Sequence, residues 1–285
     1  DHEFLAHHTR CLVGAGCTGV IPLGSLGEGA TLDADEKLEV LLTVVGAAGT
    51  APVVAGVAAA STRTAVRLAE RAAAAGCRGL MVLPPYLHQG PFDEVRQHVA
   101  AVLSATELPC MLYNNPHAYG TDFVPEAIAE LAAAHDNLVA LKESSGDARR
   151  VTAVRARLAD RLAVLVGLDD MVIEGIAAGA TGWVAGLVNA LPAESVRLFE
   201  LASSGAVEPA RELYQWFLPL LRLDTGPDFV QAIKLVQHEL GLGGERVRAP
   251  RRPLAGGRRE QVLATVRSAL AARPAPAAAR GGAGG

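Results

Sequence analysis

Lysine is scarce in this chain of 285 residues, which contains three lysines against 23 arginines. Wherever a positive charge alone would serve, the sequence nearly always uses arginine. Arginine stays protonated and cannot act as an amine nucleophile, whereas a desolvated lysine can lose its proton and attack a carbonyl carbon. One lysine, Lys142, directly follows the hydrophobic run 138–141. Its placement makes Lys142 a candidate for forming a Schiff base.

Several other features are missing, and each absence excludes a class of function. The net charge of −4 provides no basic surface for nucleic acid or for a membrane. No apolar run approaches the ~20 residues of a membrane-spanning helix. The four cysteines have neither Cys-x-x-Cys nor zinc spacing, and the eight histidines form no His-x-x-x-His pair. We therefore expect a cytosolic protein with reduced core cysteines, no metal and no cofactor.

Short runs of strand-forming residues alternate with amphipathic helical stretches along most of the chain. The strand-like runs are 18–23, 52–57, 79–83, 110–113, 138–141, 162–166 and 182–185. Most of them are apolar without alternation, which is typical of parallel strands buried on both faces. The strand-helix order predicts an α/β protein with a parallel sheet.

The number of strands predicts a particular barrel. A closed (β/α)8 TIM barrel has eight strands, and the sequence provides seven. Because the chain opens in a helix at 4–15, we expect the first strand to be the one missing. Residues 1–192 are thus predicted to form a (β/α)8 barrel without its first strand, 193–272 a C-terminal helical extension, and 273–285 a disordered tail.

Three candidate catalytic side chains follow the ends of different predicted strands. In an α/β barrel the active site lies at the C-terminal ends of the strands, and Ser25, Tyr113 and Lys142 all occupy such positions. A phenol can carry protons for an imine-forming lysine, so Tyr113 is the candidate proton shuttle and Ser25 its relay. The residues alone leave open a structural salt bridge for Lys142 and a packing role for Tyr113. The other two lysines, Lys37 and Lys234, lie in predicted helices.

Four segments together resemble the dihydrodipicolinate synthase / N-acetylneuraminate lyase family. The segments are 24–28, 112–116, 141–147 and 179–183. The resemblance implies a (β/α)8 barrel with a C-terminal helical domain and a Schiff base between a lysine and a 2-oxo acid. It also implies a small 2-oxo acid or its cyclic imine as the substrate, and a homo-oligomer, either a tetramer or a dimer.

The resemblance also assigns roles by position. Lys142 would be the Schiff-base lysine and Tyr113 the proton shuttle. Ser25 stands where the family has the first Thr of a Gly-Thr-Thr-Gly-Glu run, and Leu26 replaces the second hydroxyl residue. The backbone around Leu26 and Gly27 would hold the substrate carboxylate.

Two further positions follow from the same comparison of motifs. Tyr86 matches the tyrosine that the synthases donate across a subunit interface to complete the proton relay. Val184 would border the substrate from the last strand. In the synthases, an Arg after the Tyr-Asn-x-Pro segment binds the second substrate's carboxylate, and Ala118 occupies that position here. Losing such charge-assisted hydrogen bonds, worth ~1.5–3 kcal/mol each, argues against aspartate semialdehyde as a substrate.

Within the family, the later segments most resemble 1-pyrroline-4-hydroxy-2-carboxylate deaminases. These segments are 113–116, 182–189, 214–220 and 245–250. The implied products are 2,5-dioxopentanoate and ammonia. The alternatives are an aldolase or dehydratase for 2-keto-3-deoxy sugar acids, a 4-hydroxy-tetrahydrodipicolinate synthase and, from another class, a non-catalytic barrel scaffold. The sugar-acid alternative is weakened because Leu26, Ala118 and Val184 provide no polar group for a polyhydroxy chain.

Overall fold

A parallel six-stranded sheet organises the fold in the computed structural model, which describes residues 1–88 and 90–274. The strands pair in chain order, each parallel to the next. They are β1 (Val54–Val57), β2 (Gly79–Val82), β3 (Cys110–Asn114), β4 (Leu138–Glu143), β5 (Ala163–Val166) and β6 (Gly182–Trp183). The predicted α/β class and the parallel sheet are confirmed.

Helices separate the strands and continue after the last one. Those up to β6 are α1 (His2–Gly14), α2 (Ala34–Ala47), α3 (Thr62–Ala74), α4 (Phe92–Ser104), α5 (Pro116–Tyr119), α6 (Pro125–Ala134), α7 (Arg149–Leu158) and α8 (Val172–Ala177). The helices that follow are α9 (Pro192–Ser203), α10 (Val207–Leu221), α11 (Phe229–Glu239) and α12 (Gly256–Ala271). Of the predicted tail, residues 275–285 lie outside the described part of the chain.

The predicted strand at 18–23 is wrong in extent, because it forms a single bridge between Val20 and Val53. The backbone N–H of Val20 donates to the carbonyl of Pro52, and that of Val54 donates to the carbonyl of Val20. Pro22 has no N–H to donate, and Leu23 has a left-handed backbone with φ 64°. The carbonyl of Pro22 still accepts from the N–H of Gly56 at 2.9 Å, but without a proline donor only one complete bridge forms. An eighth strand before α1 stays a prediction.

Helix ends match the local sequence. The N-terminus of α2 has a capping box, in which the Asp33 side chain accepts from the N–H of Glu36 and the Glu36 side chain accepts from that of Asp33. After α1, α3 and α8 the chain turns through Gly16, Gly76 and Gly179, each with positive φ. The Ala-Gly pairs at 15–16, 75–76 and 178–179 therefore mark helix C-termini.

Two apolar layers lie on opposite faces of the sheet. The larger packs the strands against the outer helices, and the smaller lies on the inner face and includes Met81, Met111 and Ala140. Successive side chains of a strand point to opposite faces. The residues two positions after Met111 and Ala140 are Tyr113 and Lys142, which pair directly in register. The inner face thus places the phenol and the amine side by side where β3 and β4 end.

The C-terminal helices share one core with the end of the barrel. Residues of α9 to α12 cluster with Val172, Leu187 and Leu191, so apolar packing continues across the predicted boundary at 192/193. A buried ion pair makes a second connection, because Lys234 Nζ of α11 lies 2.5 Å from Glu28 Oε2. This contact supports the structural role that the helical setting of Lys234 predicts.

Some surface features also bear on the sequence predictions. Cys11 is exposed on α1, so its expected place in the core is wrong: it lies on the helix face that points away from the sheet. Within residues 1–88 and 90–274, no helix is long and apolar enough to cross a membrane. In the same residues, no three His, Cys, Asp or Glu side chains group as ligands for a metal ion.

Candidate active site

Lys142 lies on the inner face at the end of β4, next to Tyr113 of β3. Its Nζ is 4.1 Å from the centroid of the Tyr113 ring, and the tyrosine is buried, with 5% of its surface exposed. The lysine side chain extends over Gly167, and a Cβ added to that glycine would lie 2.8 Å from Lys142 Cε. The amine is therefore held between an aromatic ring and a bare stretch of backbone.

Ser25 does not contact Tyr113 as the sequence predicts. Its Oγ instead lies 2.5 Å from the hydroxyl of Tyr119, within hydrogen-bonding distance. The ring of Tyr119 packs edge-on against that of Tyr113, with centroids 5.5 Å apart. The predicted relay from Ser25 is thus corrected: its hydroxyl is connected to Tyr113 through a second phenol, that of Tyr119.

Tyr119 is therefore a site residue that sequence reasoning missed. It ends the four-residue helix α5, and Asn115 fixes this segment by two contacts. Asn115 Oδ1 accepts from the N–H of Ala118 at 3.0 Å, and its Nδ2 donates to the Tyr113 hydroxyl at 3.1 Å. Burial, followed by the neighbouring Tyr113, raises the pKa of the Tyr119 phenol. Tyr119 therefore stays protonated and can donate a hydrogen bond.

The loop after Val20 provides the backbone groups that the sequence predicts. Within the loop, the N–H groups of Glu28 and Gly29 donate to the carbonyls of Ser25 and Gly24. In the described part of the chain, the N–H groups of Leu26 and Gly27 have no such acceptor. The Leu26 side chain packs against the C-terminal core. Two N–H donors and the Ser25 hydroxyl therefore lie in one short loop, where a carboxylate could accept from them.

Tyr86 and Val184 complete the set of predicted residues. Val184 packs against the inner-face cluster that contains Tyr113. Tyr86 lies after β2 and is 37% exposed. It contributes to raising the pKa of the Tyr119 phenol, which indicates that the two side chains are near each other. Among the described residues it makes no hydrogen bond to Ser25, Tyr113 or Lys142. A single chain thus brings Lys142, Tyr113 and Val184 together and leaves Tyr86 at the rim.

Two carboxyl groups lie beside this site, and the sequence assigned a role to neither. Asp169 is fully buried and accepts from the indole N–H of Trp183 at 3.0 Å and from the backbone N–H of Leu187 at 2.7 Å. Burial raises its pKa to about 6, although these donors act against the rise. The second carboxyl group, that of Asp224, packs against the backbone of Gly186. Burial raises the pKa of both groups and the charge of Lys142 acts in the opposite direction, so both lie in the neighbourhood of its amine.

The position at which the sequence lacks a carboxylate-binding arginine is apolar and exposed. Ala118 lies on the surface of α5 between His117 and Tyr119. The His117 Nε2 lies 2.8 Å from the carbonyl oxygen of Ser145, so this neighbour is already engaged. A methyl group cannot bind a carboxylate, and α5 therefore presents no replacement for the arginine.

Comparison with known proteins places this geometry in a family. The sequence profile of the Dihydrodipicolinate synthetase family matches residues 1–269. The chain belongs to this family. A curated 4-hydroxy-tetrahydrodipicolinate synthase from Natronomonas pharaonis is 36% identical over 266 residues, which are 92% of this chain and 89% of that protein.

Solved structures of the family have the same fold. The crystal structure of dihydrodipicolinate synthase from Aquifex aeolicus matches with a TM-score of 0.90 at 25% identity, covering 94% of this chain and 92% of that one. A prophage protein of the dihydrodipicolinic acid synthase family from E. coli, solved in complex with pyruvate, matches with a TM-score of 0.88 at 25% identity, covering 95% and 93%. Members of the family are lysine-dependent Schiff-base lyases, and this chain is an enzyme of that kind.

The hydrogen bond between Ser25 and Tyr119 leads to a first prediction. Tyr119→Phe keeps the ring packing and removes the hydroxyl, so we expect kcat/KM to fall about 3- to 10-fold, the equivalent of one hydrogen bond. The energetic coupling between the two hydroxyls is measured by comparing kcat/KM of Tyr119→Phe, Ser25→Ala and the double variant. If the two hydroxyls act together, the double variant should lose little more than either single one. Fully additive losses would contradict this.

Proposed function

We propose that Lys142 is the Schiff-base lysine of this enzyme and that its substrate is a small 2-oxo acid or the cyclic imine of one. The observation that carries the proposal is the pairing of Lys142 with Tyr113 at the C-terminal ends of adjacent strands. The primary amine of Lys142 lies over the Tyr113 ring and beside the bare backbone of Gly167, and an amine so placed can attack a carbonyl carbon. A phenol at this distance can serve as general acid and base.

In this proposal, each group of the site has one task. Lys142 Nζ attacks carbon 2 of the substrate, and Tyr113 moves protons between the tetrahedral intermediate and carbon 3. The Ser25 hydroxyl and the N–H groups of Leu26 and Gly27 hold the substrate carboxylate. Val184 borders the substrate on the inner face.

For the substrate itself, we propose 1-pyrroline-4-hydroxy-2-carboxylate. Ala118 provides no clamp for the carboxylate of a second substrate, and the Asp169 carboxylate would repel one. Attack by Lys142 on the ring imine carbon opens the ring and leaves a free amine at carbon 5. Loss of the carbon 4 hydroxyl as water, isomerisation, and hydrolysis of both imines give 2,5-dioxopentanoate, ammonia and the free lysine. The net reaction consumes one water.

A second candidate is 4-hydroxy-tetrahydrodipicolinate synthase, the activity of the 36% identical relative. It would join pyruvate bound to Lys142 with aspartate semialdehyde, whose carboxylate would need a cation at the position of Ala118. The identity of the relative favours this candidate, and the Asp169 carboxylate opposes it.

One assay series distinguishes the two candidates. Purified enzyme is given 1-pyrroline-4-hydroxy-2-carboxylate, and ammonia release is measured. In parallel it is given pyruvate with aspartate semialdehyde, and their condensation is measured. We expect ammonia from the first mixture and a condensation rate at least 100-fold lower from the second. Turnover of the second mixture alone would establish the synthase activity and refute the deaminase.

Oligomerisation remains a proposal based on the rim of the site. Tyr86, Leu87 and Phe92 are exposed there, Leu87 with 71% of its surface. We expect this apolar strip to pack against a second copy of the chain, so that Tyr86 reaches the neighbouring site. Sedimentation velocity gives the mass, and a monomer that is fully active would contradict this arrangement.

A further inference from the structure

Asp224 is a half-buried residue whose Oδ1 atom is buried, and the sequence motifs assign it no role. It lies in the turn that follows α10, in the C-terminal helical region, and not in the barrel. Its carboxylate packs so closely on Gly186 that a Cβ there would overlap it. Among the described residues, no donor or acceptor pairs with its Oδ1. A buried polar atom left without a partner is costly, by about 1–3 kcal/mol, so this carboxyl group calls for a functional explanation.

A short series of contacts connects Asp224 to Lys142. Gly186, against which Asp224 packs, donates its N–H to Asp169 Oδ1 at 3.0 Å. Asp169 is two residues after Gly167, over which the Lys142 side chain lies. Asp224 and Lys142 are close enough for the lysine's charge to act on the carboxyl group. Asp224 and Lys142 are therefore joined by a short path of contacts and chain neighbours through Gly186, Asp169 and Gly167.

The surroundings of Asp224 favour the protonated form of its carboxyl group. Burial and then the nearby charge of Asp169 raise its pKa well above the usual range, Asp170 adds to the rise, and Lys142 acts in the opposite direction. Arg222 lies 3.9 Å from Asp170 and offsets part of that charge. Next to an imine-forming lysine, the site thus has a neutral carboxylic acid that can donate a proton.

We infer that Asp224 protonates the leaving group in the elimination step, at the substrate carbon two bonds from the imine carbon. This role rests on the function proposed above. After Tyr113 has taken a proton from carbon 3, the nitrogen lone pair re-forms the C=N bond. The former C2=C3 electrons become C3=C4, and the C4–O bond breaks. The Asp224 proton goes to the departing oxygen, which leaves as water, and the Asp224 carboxylate then regains a proton from solvent.

A proton donor at Asp224 also determines which bond breaks, the C3–C4 bond or the C4–O bond. Retro-aldol cleavage between carbons 3 and 4 needs a base that removes the proton of the carbon 4 hydroxyl. Loss of that hydroxyl needs an acid that delivers one. The neutral Asp224 therefore assigns the enzyme to substrates that have a hydroxyl at carbon 4 and lose it, and it argues against cleavage of sugar-acid chains.

The test separates imine formation from elimination, using Asp224→Asn, which keeps the shape of the side chain and cannot act as an acid. The matched control is Asp228→Asn, which removes the charge that pairs with Arg258. With pyruvate, which has no leaving group, borohydride trapping and deuterium exchange at carbon 3 should match wild type in both variants. With 1-pyrroline-4-hydroxy-2-carboxylate, we expect Asp224→Asn to lower ammonia release about 100-fold, as for loss of a general acid, and the control to leave it unchanged.

The pH dependence of elimination provides a second test, because it would not change if Asp224 had only a structural role. In the wild type, the rate of elimination should fall as the pH rises and Asp224 ionises. This fall should be absent from the pH profile of Asp224→Asn. Unchanged ammonia release in Asp224→Asn would overturn the inference. So would a parallel loss of trapping, exchange and elimination, because Asp224 would then act on the fold. If the wild type itself formed no adduct with pyruvate, the proposed function would fail first, and this role with it.

Discussion

Replacing Lys142 with arginine should remove activity by at least about 10³-fold, because a covalent nucleophile is lost while the positive charge is kept. Arginine cannot form the imine, so the barrier of the uncatalysed carbonyl chemistry returns. The longer guanidinium can still lie over the Tyr113 ring, and the fold should be retained. We expect no borohydride adduct with pyruvate and no ammonia release from the hydroxypyrroline carboxylate.

Lys37→Arg provides the matched control for this experiment. Burial lowers the pKa of Lys37, so this lysine tests whether a partly desolvated amine elsewhere in the chain could form the imine. It lies in α2, away from the strand ends, and its replacement should leave kcat and KM within about twofold of wild type. If Lys142→Arg kept more than a tenth of wild-type kcat, Lys142 would not be the nucleophile.

Gly167→Ala should have the second-largest effect. The added Cβ would lie 2.8 Å from Lys142 Cε and 2.9 Å from its Cγ, and it would overlap the hydroxyl of Ser144. Gly167 is held in place by its N–H, which donates to the carbonyl of Glu143 at 2.9 Å, so the backbone cannot easily move away. The lysine side chain must shift instead, and a displacement of ~1 Å can cost about 100-fold in rate.

The expected result for Gly167→Ala is a loss of kcat of about 100-fold with a folded protein. Overpacking should lower the free energy of unfolding by about 1–3 kcal/mol, which thermal or denaturant melts can measure. Gly46→Ala in α2 is the control, because nothing lies near its added Cβ, and alanine there should stabilise the helix by up to ~1 kcal/mol. Wild-type kinetics in Gly167→Ala would mean that the position of the Lys142 side chain is not critical.

The sequence predicts one half of the site well, for a physical reason. Lys142 and Tyr113 lie on strands, where a period of two residues and parallel pairing determine which side chains share a face and an end. Apolar runs and strand-helix order are enough to place both. The predicted strand at 18–23 was too long because Pro22 and the left-handed Leu23 end its ladder, an effect of backbone geometry that hydrophobicity does not show.

The other half of the site depends on tertiary packing. Tyr119 reaches Ser25 only because Asn115 caps the short helix α5 and turns it back over the strand ends. The signal that could have revealed it is Asn115, a good N-cap residue placed directly before a proline. Asp224 is 82 residues beyond Lys142 in the sequence. Its position depends on how α10 packs against the barrel, which no local pattern predicts.

The role of Lys142 is tested most directly by mapping the trapped intermediate. Wild-type enzyme is mixed with pyruvate, reduced with borohydride and digested, and its peptides are analysed by mass spectrometry. We expect one reduced pyruvate per chain, attached to Lys142, with Lys37 and Lys234 unmodified. An adduct on either of those lysines, or none at all in protein that is folded, would contradict it.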